Sequence, residues 1–427
     1  MKRRNQLLAL FCLLVFAGLG VLYFQHWVVQ KPFGIVLFVG EGLTPGRIAA
    51  TRVYAGSADT PLALDALPHT ALVTNHSNDF ATPDSAAAAT ALAAGVKPNN
   101  RALGRDRENK TVENLLELAR SEGRSTGLIT DGRITDPTAA AFFAHQSEAN
   151  DHDAVARELV EHAKIDVILG GGAFDFTAQD KGGYRADGRD LLLELRRAGT
   201  EFVRTKAELE NVPRWRQPKL LGIFAAAELA YSDQLEARSN QPSLSDMVRR
   251  GIELLQYNRT GYVLVVDAAL MRKAAQENNG ERTLAETVEL DRAVATAQKY
   301  VGEGSMIVVC GDVGIGGLTM SGSPFRKDRG IAVLGLNSTG DPWLTWATGP
   351  NGTASYGASK LVEPTRQRSA TDEEPDVHPP EEPAAAYAKT ALNTVDDVVA
   401  FGSGAGTEAL HGTIDSTFVF RLLRGKL

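Results

Sequence analysis

Residues 34–44 have the sequence GIVLFVGEGLT. The first seven, Gly34–Gly40, are all apolar or glycine, without the alternation of a strand that has one wet face, so they predict a strand buried on both faces. Glu41, an ionisable residue, follows directly. Ligands of open α/β sheets bind at the carboxyl ends of the strands. The stretch therefore predicts a central strand that ends at a functional carboxylate.

The same pattern continues along the chain, where short apolar runs alternate with helical segments. This alternation predicts an α/β fold with a parallel or mixed sheet covered on both faces. Further strands are expected at residues 71–74, 126–130, 166–169, 262–266, 305–310 and 398–401, all in the middle of the sandwich. Helices are expected at residues 85–94, 112–122, 153–163, 244–256 and 284–301.

Composition excludes several classes of protein. The 427 residues include 43% hydrophobic and 23% charged residues, an ordinary balance for a globular chain. The net charge of −7 and the lack of a basic stripe argue against a nucleic-acid partner. The two cysteines, Cys12 and Cys310, exclude a disulfide scaffold and a cysteine-ligated metal site.

The N-terminus predicts a membrane anchor. Lys2, Arg3 and Arg4 precede an uncharged run over residues 7–24, which as a helix spans about 27 Å, close to the hydrocarbon core of a bilayer. A signal-peptidase site is not evident, so an uncleaved signal-anchor is favoured over a cleaved signal. Residues 1–30 are expected to form a cytoplasmic tip and transmembrane segment. Residues 31–427 form the extracytoplasmic (periplasmic or extracellular) domain, with a Pro- and Glu-rich loop at 362–386.

Further polar residues stand at predicted strand or helix ends. Asp267 and Asp312 follow apolar runs, as Glu41 does. Asp84 and Ser85 precede an alanine-rich segment, so Ser85 is expected at a helix N-terminus, where free N–H groups favour an anion. Either residue is equally well explained as a simple helix cap.

Several of these segments resemble the motifs of the alkaline phosphatase family. PDSAAAATALAAGVK (83–97) resembles the motif of its phosphorylated serine, and FVGEGLT (38–44) its first metal motif. ITDPTAAAFFAH (134–145), LVVDAALMRKAAQ (264–276) and GDVGIGGL (311–318) follow in family order. The resemblance implies a three-layer αβα sandwich, with a mostly parallel central sheet, that hydrolyses phosphomonoesters with two zinc ions and one magnesium.

The resemblance assigns oxygen ligands to this chain residue by residue. Ser85 matches the nucleophile, Thr138 the magnesium-site threonine and Asp312 an aspartate of the second zinc. Glu41 stands where the family has an aspartate, and Asp267 stands where it has a glutamate. Such an all-oxygen set suits Mg²⁺, Mn²⁺ or Ca²⁺ better than Zn²⁺.

The nitrogen ligands of the family are missing. The aspartate and two histidines of the first zinc fall at Arg272, Gln276 and Asn393, and the histidine of the second zinc at Val313. Guanidinium and neutral amides are poor zinc ligands, so the family's Zn²⁺ is not expected to bind. Ala149 stands where the family has a phosphate-binding arginine. His145 is expected on a helix near the site, away from the ligand positions.

Three functions are consistent with this pattern. The first is a membrane-anchored homologue with a degenerate metal site, weak or absent phosphomonoesterase activity and binding of phosphate-like anions. The second is a phosphate-ester hydrolase that uses Ser85 and one hard divalent cation, and the third is an ordinary two-zinc phosphatase. Arg272 is expected either to bind the anion or to pair with a carboxylate such as Asp312. The family resemblance also allows a homodimer.

Overall fold

The computed structural model describes residues 2–23, 31–216, 219–237, 240–320, 342–352 and 382–427. Within these residues, the N-terminal helix alone is long and apolar enough to cross a membrane, a property that a signal sequence shares. The helices are α1 (Lys2–Tyr23), α2 (Pro45–Ala55), α3 (Ser85–Ala94), α4 (Leu115–Ser121), α5 (Pro137–Ala140), α6 (His152–Glu161), α7 (Ala173–Phe176), α8 (Leu191–Arg197), α9 (Lys206–Asn211), α10 (Leu244–Leu255), α11 (Leu270–Gln276), α12 (Gly280–Tyr300) and α13 (Thr417–Arg424).

In the described parts of the chain, the strands form one large sheet and two small ones. They are β1 (Gly34–Gly40), β2 (His69–Thr74), β3 (Ser125–Arg133), β4 (Val167–Gly171), β5 (Glu201–Val203), β6 (Leu220–Ile223), β7 (Tyr262–Ala268), β8 (Met306–Gly311), β9 (Gly314–Ile315), β10 (Thr319–Met320), β11 (Leu344–Gly349), β12 (Ala384–Tyr387), β13 (Asn393–Thr394), β14 (Val398–Ser403) and β15 (Thr413–Asp415).

Ten strands build the large sheet in the order β15-β2-β14-β8-β1-β7-β3-β4-β6-β5. Only β14 runs antiparallel to its neighbours, so the sheet is mostly parallel as expected. The strand β1, whose seven residues are all buried, lies between β7 and β8 near the middle of this order. The predicted central strand is confirmed.

Alternate side chains of β1 enter two separate hydrophobic cores. Ile35, Leu37 and Val39 pack with residues of α3, α4, α6 and α13. Val36 and Phe38 pack on the opposite face with residues of α10 and α12. The chain is therefore a three-layer αβα sandwich, in which helices cover both faces of the central strands.

Several predicted boundaries differ from the observed ones. The helix expected at 112–122 begins only at Leu115, because the Asn114 side chain accepts hydrogen bonds from the N–H groups of Leu116 and Glu117 and so caps it. The strand expected at 71–74 is not buried on both faces, since Leu72 is exposed in β2, close to the sheet edge. Most of the predicted loop 362–386 lies outside the described residues, and its last residues belong to β12.

His145 does not lie on a helix but in the irregular segment after α5. Its Nδ1 lies 2.9 Å from Oε1 of Glu158, and its Nε2 lies 3.5 Å from Oε2 of Glu117 and 3.1 Å from the carbonyl oxygen of Val112. Hydrogen bonding to Glu117 and Glu158 raises the pKa of His145 to about 10. This histidine joins α4 to α6 and is not part of the carboxylate cluster described below.

We expect the pKa of His145 to make stability depend on pH. A group whose pKa is higher in the folded state stabilises it fully below its unfolded pKa, near 6.5, and loses that contribution as pH rises through about 10. The free energy of unfolding should therefore fall over this range. His145 should account for about 1.5–3 kcal/mol of this decrease in the free energy of unfolding, and that contribution should be absent in His145→Gln. Urea titrations between pH 6.5 and 10 measure it. The exposed His411 provides a control variant, His411→Gln, and equal pH profiles for all three proteins would contradict the assignment.

Candidate functional site

Three acidic side chains lie at the carboxyl edge of the central sheet. Asp312 follows β8, Glu41 follows β1, and Asp267 is the next-to-last residue of β7. Because β8, β1 and β7 are parallel neighbours, their ends meet at one place. Glu41 and Asp267 are fully buried, and Asp312 is buried nearly as well. The structure thus groups the three carboxylates that the sequence predicted.

The guanidinium of Arg272 lies among these carboxylates. Arg272 is the third residue of α11, the helix that follows β7. Its Nε contacts Oε2 of Glu41, and its Nη2 lies 3.6 Å from Oδ2 of Asp136. Burial lowers the pKa of Arg272, but the attraction of four carboxylates outweighs it and the pKa is raised; they belong to Glu41, Asp136, Asp267 and Asp312. Of the two expectations for Arg272, the structure shows a carboxylate pair, formed with Glu41 and Asp136.

The three carboxylates are buried, and burial disfavours their ionised forms. Burial raises the pKa of Glu41 to about 8, against the opposing effects of Arg272 and of the Thr138 hydroxyl. Burial also raises the pKa of Asp267 well above its usual range, and the Glu41 charge adds to this. The pKa of Asp312 is raised by burial as well. One guanidinium therefore neutralises only part of the charge that this site would carry.

Each of the three carboxylates has at least one buried oxygen without a hydrogen-bond partner among the described residues. Asp312 Oδ1 accepts from the N–H groups of Gly42 (2.9 Å) and Val313 (2.6 Å), and Asp267 Oδ2 accepts from the Thr130 hydroxyl (2.9 Å). The oxygens without a hydrogen-bond partner are Oε1 and Oε2 of Glu41, Oδ1 of Asp267 and Oδ2 of Asp312, and of these Oε2 of Glu41 contacts the Arg272 guanidinium. Buried acceptors are normally satisfied, so these oxygens suit a cation or a proton.

The residues that stand where the family has histidine ligands of zinc make other contacts in this structure. Val313 is fully buried in an apolar cluster with Ala88 and Trp346. The Asn393 amide donates to the carbonyl oxygen of Pro83 (2.9 Å), and the carbonyl oxygen of Gln276 accepts from the N–H of Ala391 (2.9 Å). Across the part of the chain that the structure describes, no group of three or more His, Cys, Asp or Glu side chains is arranged to hold a metal ion. The residues present do not fit the family's zinc.

Ser85 is the first residue of α3, as predicted, and it is nearly buried. The side chain of Asp84 caps the helix and accepts from the N–H of Ala87 (2.8 Å). Asp84 is therefore the N-cap of α3, and the Ser85 hydroxyl does not cap this helix. Ala88, one turn along, packs in the same cluster as Val313, so the start of α3 lies against the loop after Asp312.

A cavity of about 300 Å³ lies beside Arg272. Two cations line it, Arg272 and Lys273, and Lys273 pairs with Glu228 at 2.9 Å. Asp136 and Gln276 also line it. A pocket thus persists beside the carboxylate cluster, and both of its basic side chains already have acidic partners.

Sequence reasoning missed two charged residues of this site. Asp136 pairs with Arg272, and its position before Pro137 at the start of α5 explains it equally well as a helix cap. Arg47 is fully buried on α2, and its Nη1 donates to the carbonyl oxygen of Glu41 (2.8 Å). Nothing in the local sequence distinguishes Arg47 from a surface arginine. Ala149, at the expected place of a phosphate-binding arginine, is buried in the core.

Comparisons with known proteins agree with this architecture. Alkaline phosphatase 4 of Bacillus subtilis is 31% identical over 318 residues, which cover 71% of this chain and 66% of that protein. The tissue-nonspecific isozyme of Gallus gallus is 29% identical over 452 residues, which cover 92% and 84% of the two chains. The alkaline phosphatase of Thermus thermophilus has the same fold, with a TM-score of 0.72 at 22% identity, over 93% of this chain and 91% of that one.

A variant of the alkaline phosphatase of the Antarctic bacterium TAB5, solved with Mg bound, has a TM-score of 0.72 at 19% identity and covers 93% of this chain and 98% of its own. The sequence model of the family, described as "Alkaline phosphatase", matches residues 34–426. That match includes every site residue discussed above. This chain belongs to the alkaline phosphatase family.

Proposed function

We propose that this chain is a membrane-anchored, extracytoplasmic alkaline phosphatase homologue with a degenerate metal site, little or no phosphomonoesterase activity, and a pocket for phosphate-like anions. The supporting observation is that three positions of the missing zinc ligands have other structural roles. Val313 packs in an apolar cluster, the Asn393 amide holds the Pro83 loop, and Arg272 pairs with Glu41.

The chemistry that remains is weak. A serine hydroxyl is a poor nucleophile unless a base or a metal activates it. Family zinc ions supply activation of the nucleophile and charge at the leaving oxygen, worth several kcal/mol of barrier. Each 1.4 kcal/mol corresponds to a factor of about ten in rate. Ser85 has no imidazole at any position that the family motifs assign, so its hydroxyl stays protonated and turnover should be slow.

We expect hydrolysis of p-nitrophenyl phosphate by the full chain to be at least about 1,000-fold slower than by alkaline phosphatase 4 of Bacillus subtilis under the same conditions. Residual turnover should be the same in Ser85→Ala as in the wild type, because no activated serine contributes. Initial rates with Zn²⁺ and Mg²⁺ added measure this. A rate within tenfold of the relative's, lost in Ser85→Ala, would contradict the proposal.

Anion binding depends on the cations that line the cavity. Arg272 and Lys273 both face carboxylates, so a phosphate-like anion must compete with Glu41 and Glu228 for them. A guanidinium is suited to this competition, because it binds a tetrahedral anion through two parallel hydrogen bonds while keeping a further N–H for a carboxylate. Ser85 at the start of α3 adds the positive end of a helix dipole.

Titration of phosphate or vanadate into the full chain tests this part of the proposal. Removal of the guanidinium in Arg272→Ala should weaken binding about ten- to a hundredfold, the value of one charge-assisted contact of roughly 1.5–3 kcal/mol. Lys273→Ala, which removes a more exposed cation from the same cavity, should have a smaller effect. Equal affinity in the wild type and Arg272→Ala, or no binding by either, would contradict anion binding by Arg272.

A second candidate function is a hydrolase that uses Ser85 and one hard divalent cation. The unpartnered oxygens of Glu41, Asp267 and Asp312, together with the Thr138 hydroxyl, favour it, since oxygen ligands suit Mg²⁺ or Mn²⁺. Such a cation would polarise a phosphoryl oxygen. Turnover that requires Mn²⁺ or Mg²⁺ and is lost in Ser85→Ala would support this function over the first.

Membrane anchoring is supported by α1, which begins with the basic residues Lys2, Arg3 and Arg4. Its apolar stretch is long enough to span a bilayer, and basic residues are retained on the cytoplasmic side. Residues 31–427 then lie on the other side of the membrane, where alkaline phosphatases typically function. A cleaved signal would give the same location without the anchor.

We expect N-terminal sequencing of the mature protein to start at the translated N-terminus, with the protein in the membrane fraction after a carbonate wash. The physical reason is the long apolar run without small residues at a cleavage site. A mature chain that starts near residue 28 and is found in the soluble fraction would show that the leader is a cleaved signal.

A further inference from the structure

The carboxylate cluster requires positive charge. Glu41, Asp267 and Asp312 are withdrawn from water at the sheet edge, and ionised carboxylates in such places are paired or coordinate metals. Asp136 adds a fourth carboxylate beside them. In a family member with metal the cations would supply this charge. Here the residues do not fit zinc, so the charge must come from the chain itself.

Arg272 is placed to supply it. Its side chain is mostly buried, its Nε contacts Glu41, and its Nη2 reaches toward Asp136. A guanidinium keeps its charge when buried and presents several donors in one plane, so a single side chain serves more than one carboxylate. The position of Arg272 in the first turn of α11, directly after β7, brings that plane over the strand ends.

A second arginine, Arg47, lies next to the carboxylate cluster and binds its backbone. Arg47 is fully buried and donates to the carbonyl oxygen of Glu41 (2.8 Å), and the Asp312 charge opposes the lowering of its pKa by burial. Gly42 has a positive φ of 82°, and a Cβ at this position would collide with the Arg47 guanidinium. Arg47 thus binds the backbone of Glu41, whereas Arg272 contacts the Glu41 carboxylate itself.

We propose that the Arg272 guanidinium is a tethered counter-ion that supplies, among the carboxylates of Glu41, Asp267 and Asp312, the positive charge that metal ions supply in other members of the family. The second observation behind this inference is that four buried carboxylate oxygens have no hydrogen-bond partner among the described residues, two on Glu41 and one each on Asp267 and Asp312. While Arg272 is present, its positive charge repels a divalent cation and its contact with Glu41 removes a ligand. The inference rests on the proposed loss of the metal centre, but it concerns cation binding and not hydrolysis.

The test measures Mn²⁺ binding and thermal unfolding of the full chain in detergent, after EDTA treatment and desalting. The wild type should not bind Mn²⁺ below millimolar concentration, and its melting temperature should be the same with EDTA and with Mn²⁺. Arg272→Ala should melt lower in EDTA, because the buried carboxylates lose their counter-ion. It should also bind Mn²⁺ at least tenfold more tightly than the wild type, with a rise in melting temperature on addition of Mn²⁺.

Two further variants separate a specific site from general charge effects. Lys273→Ala removes one positive charge from the adjacent residue, whose partner is Glu228, and should leave Mn²⁺ affinity at the wild-type level. The double variant Arg272→Ala with Glu41→Gln should lose the gained affinity. Tight Mn²⁺ binding by the wild type would overturn the proposal even if Arg272→Ala failed to fold. Equal Mn²⁺ affinities in the wild type and Arg272→Ala would also overturn it, whatever the phosphatase assay shows.

Discussion

Burial of carboxylates at one edge of a parallel sheet is the constraint on which this site depends. An ionised carboxylate removed from water costs several kcal/mol unless a cation, a proton or N–H donors compensate. All three forms of compensation occur here. Arg272 contacts Glu41, backbone N–H groups hold one oxygen of Asp312, and burial raises the pKa of all three carboxylates, which favours a bound proton.

The scaffold creates this constraint through the pairing of its central strands. β1 is buried on both faces and lies between β7 and β8, so residues that are distant in sequence reach the same edge. Parallel register brings Asp267 and Asp312 to the same edge as Glu41, since Asp267 pairs with Val39 and Gly311 pairs with Gly40. All three side chains are buried there. The pairing of β1 with β7 and β8 therefore forms the hydrophobic core and also places three buried carboxylates close together.

Much of this arrangement could be predicted from local patterns. The uninterrupted apolar run of β1 and the alanine-rich segment after Ser85 correspond to the observed elements residue for residue. The partners of Arg272 could not be predicted, since Asp136 lies on a separate element and pairing depends on three-dimensional proximity. The exposure of Leu72 was missed for a similar reason, because an apolar strand sequence does not reveal whether its strand is central or near an edge.

The apolar surroundings of Val313 have a consequence for how this site can change. An imidazole at that position would be enclosed by Ala88, Ala275 and Trp346, where a polar ring finds few partners. Restoring a zinc centre by single substitutions would thus pass through proteins that are less stable and still lack a complete ligand set. At Val313 the apolar side chains around it favour the present residue, so packing opposes the return of a zinc ligand at this position.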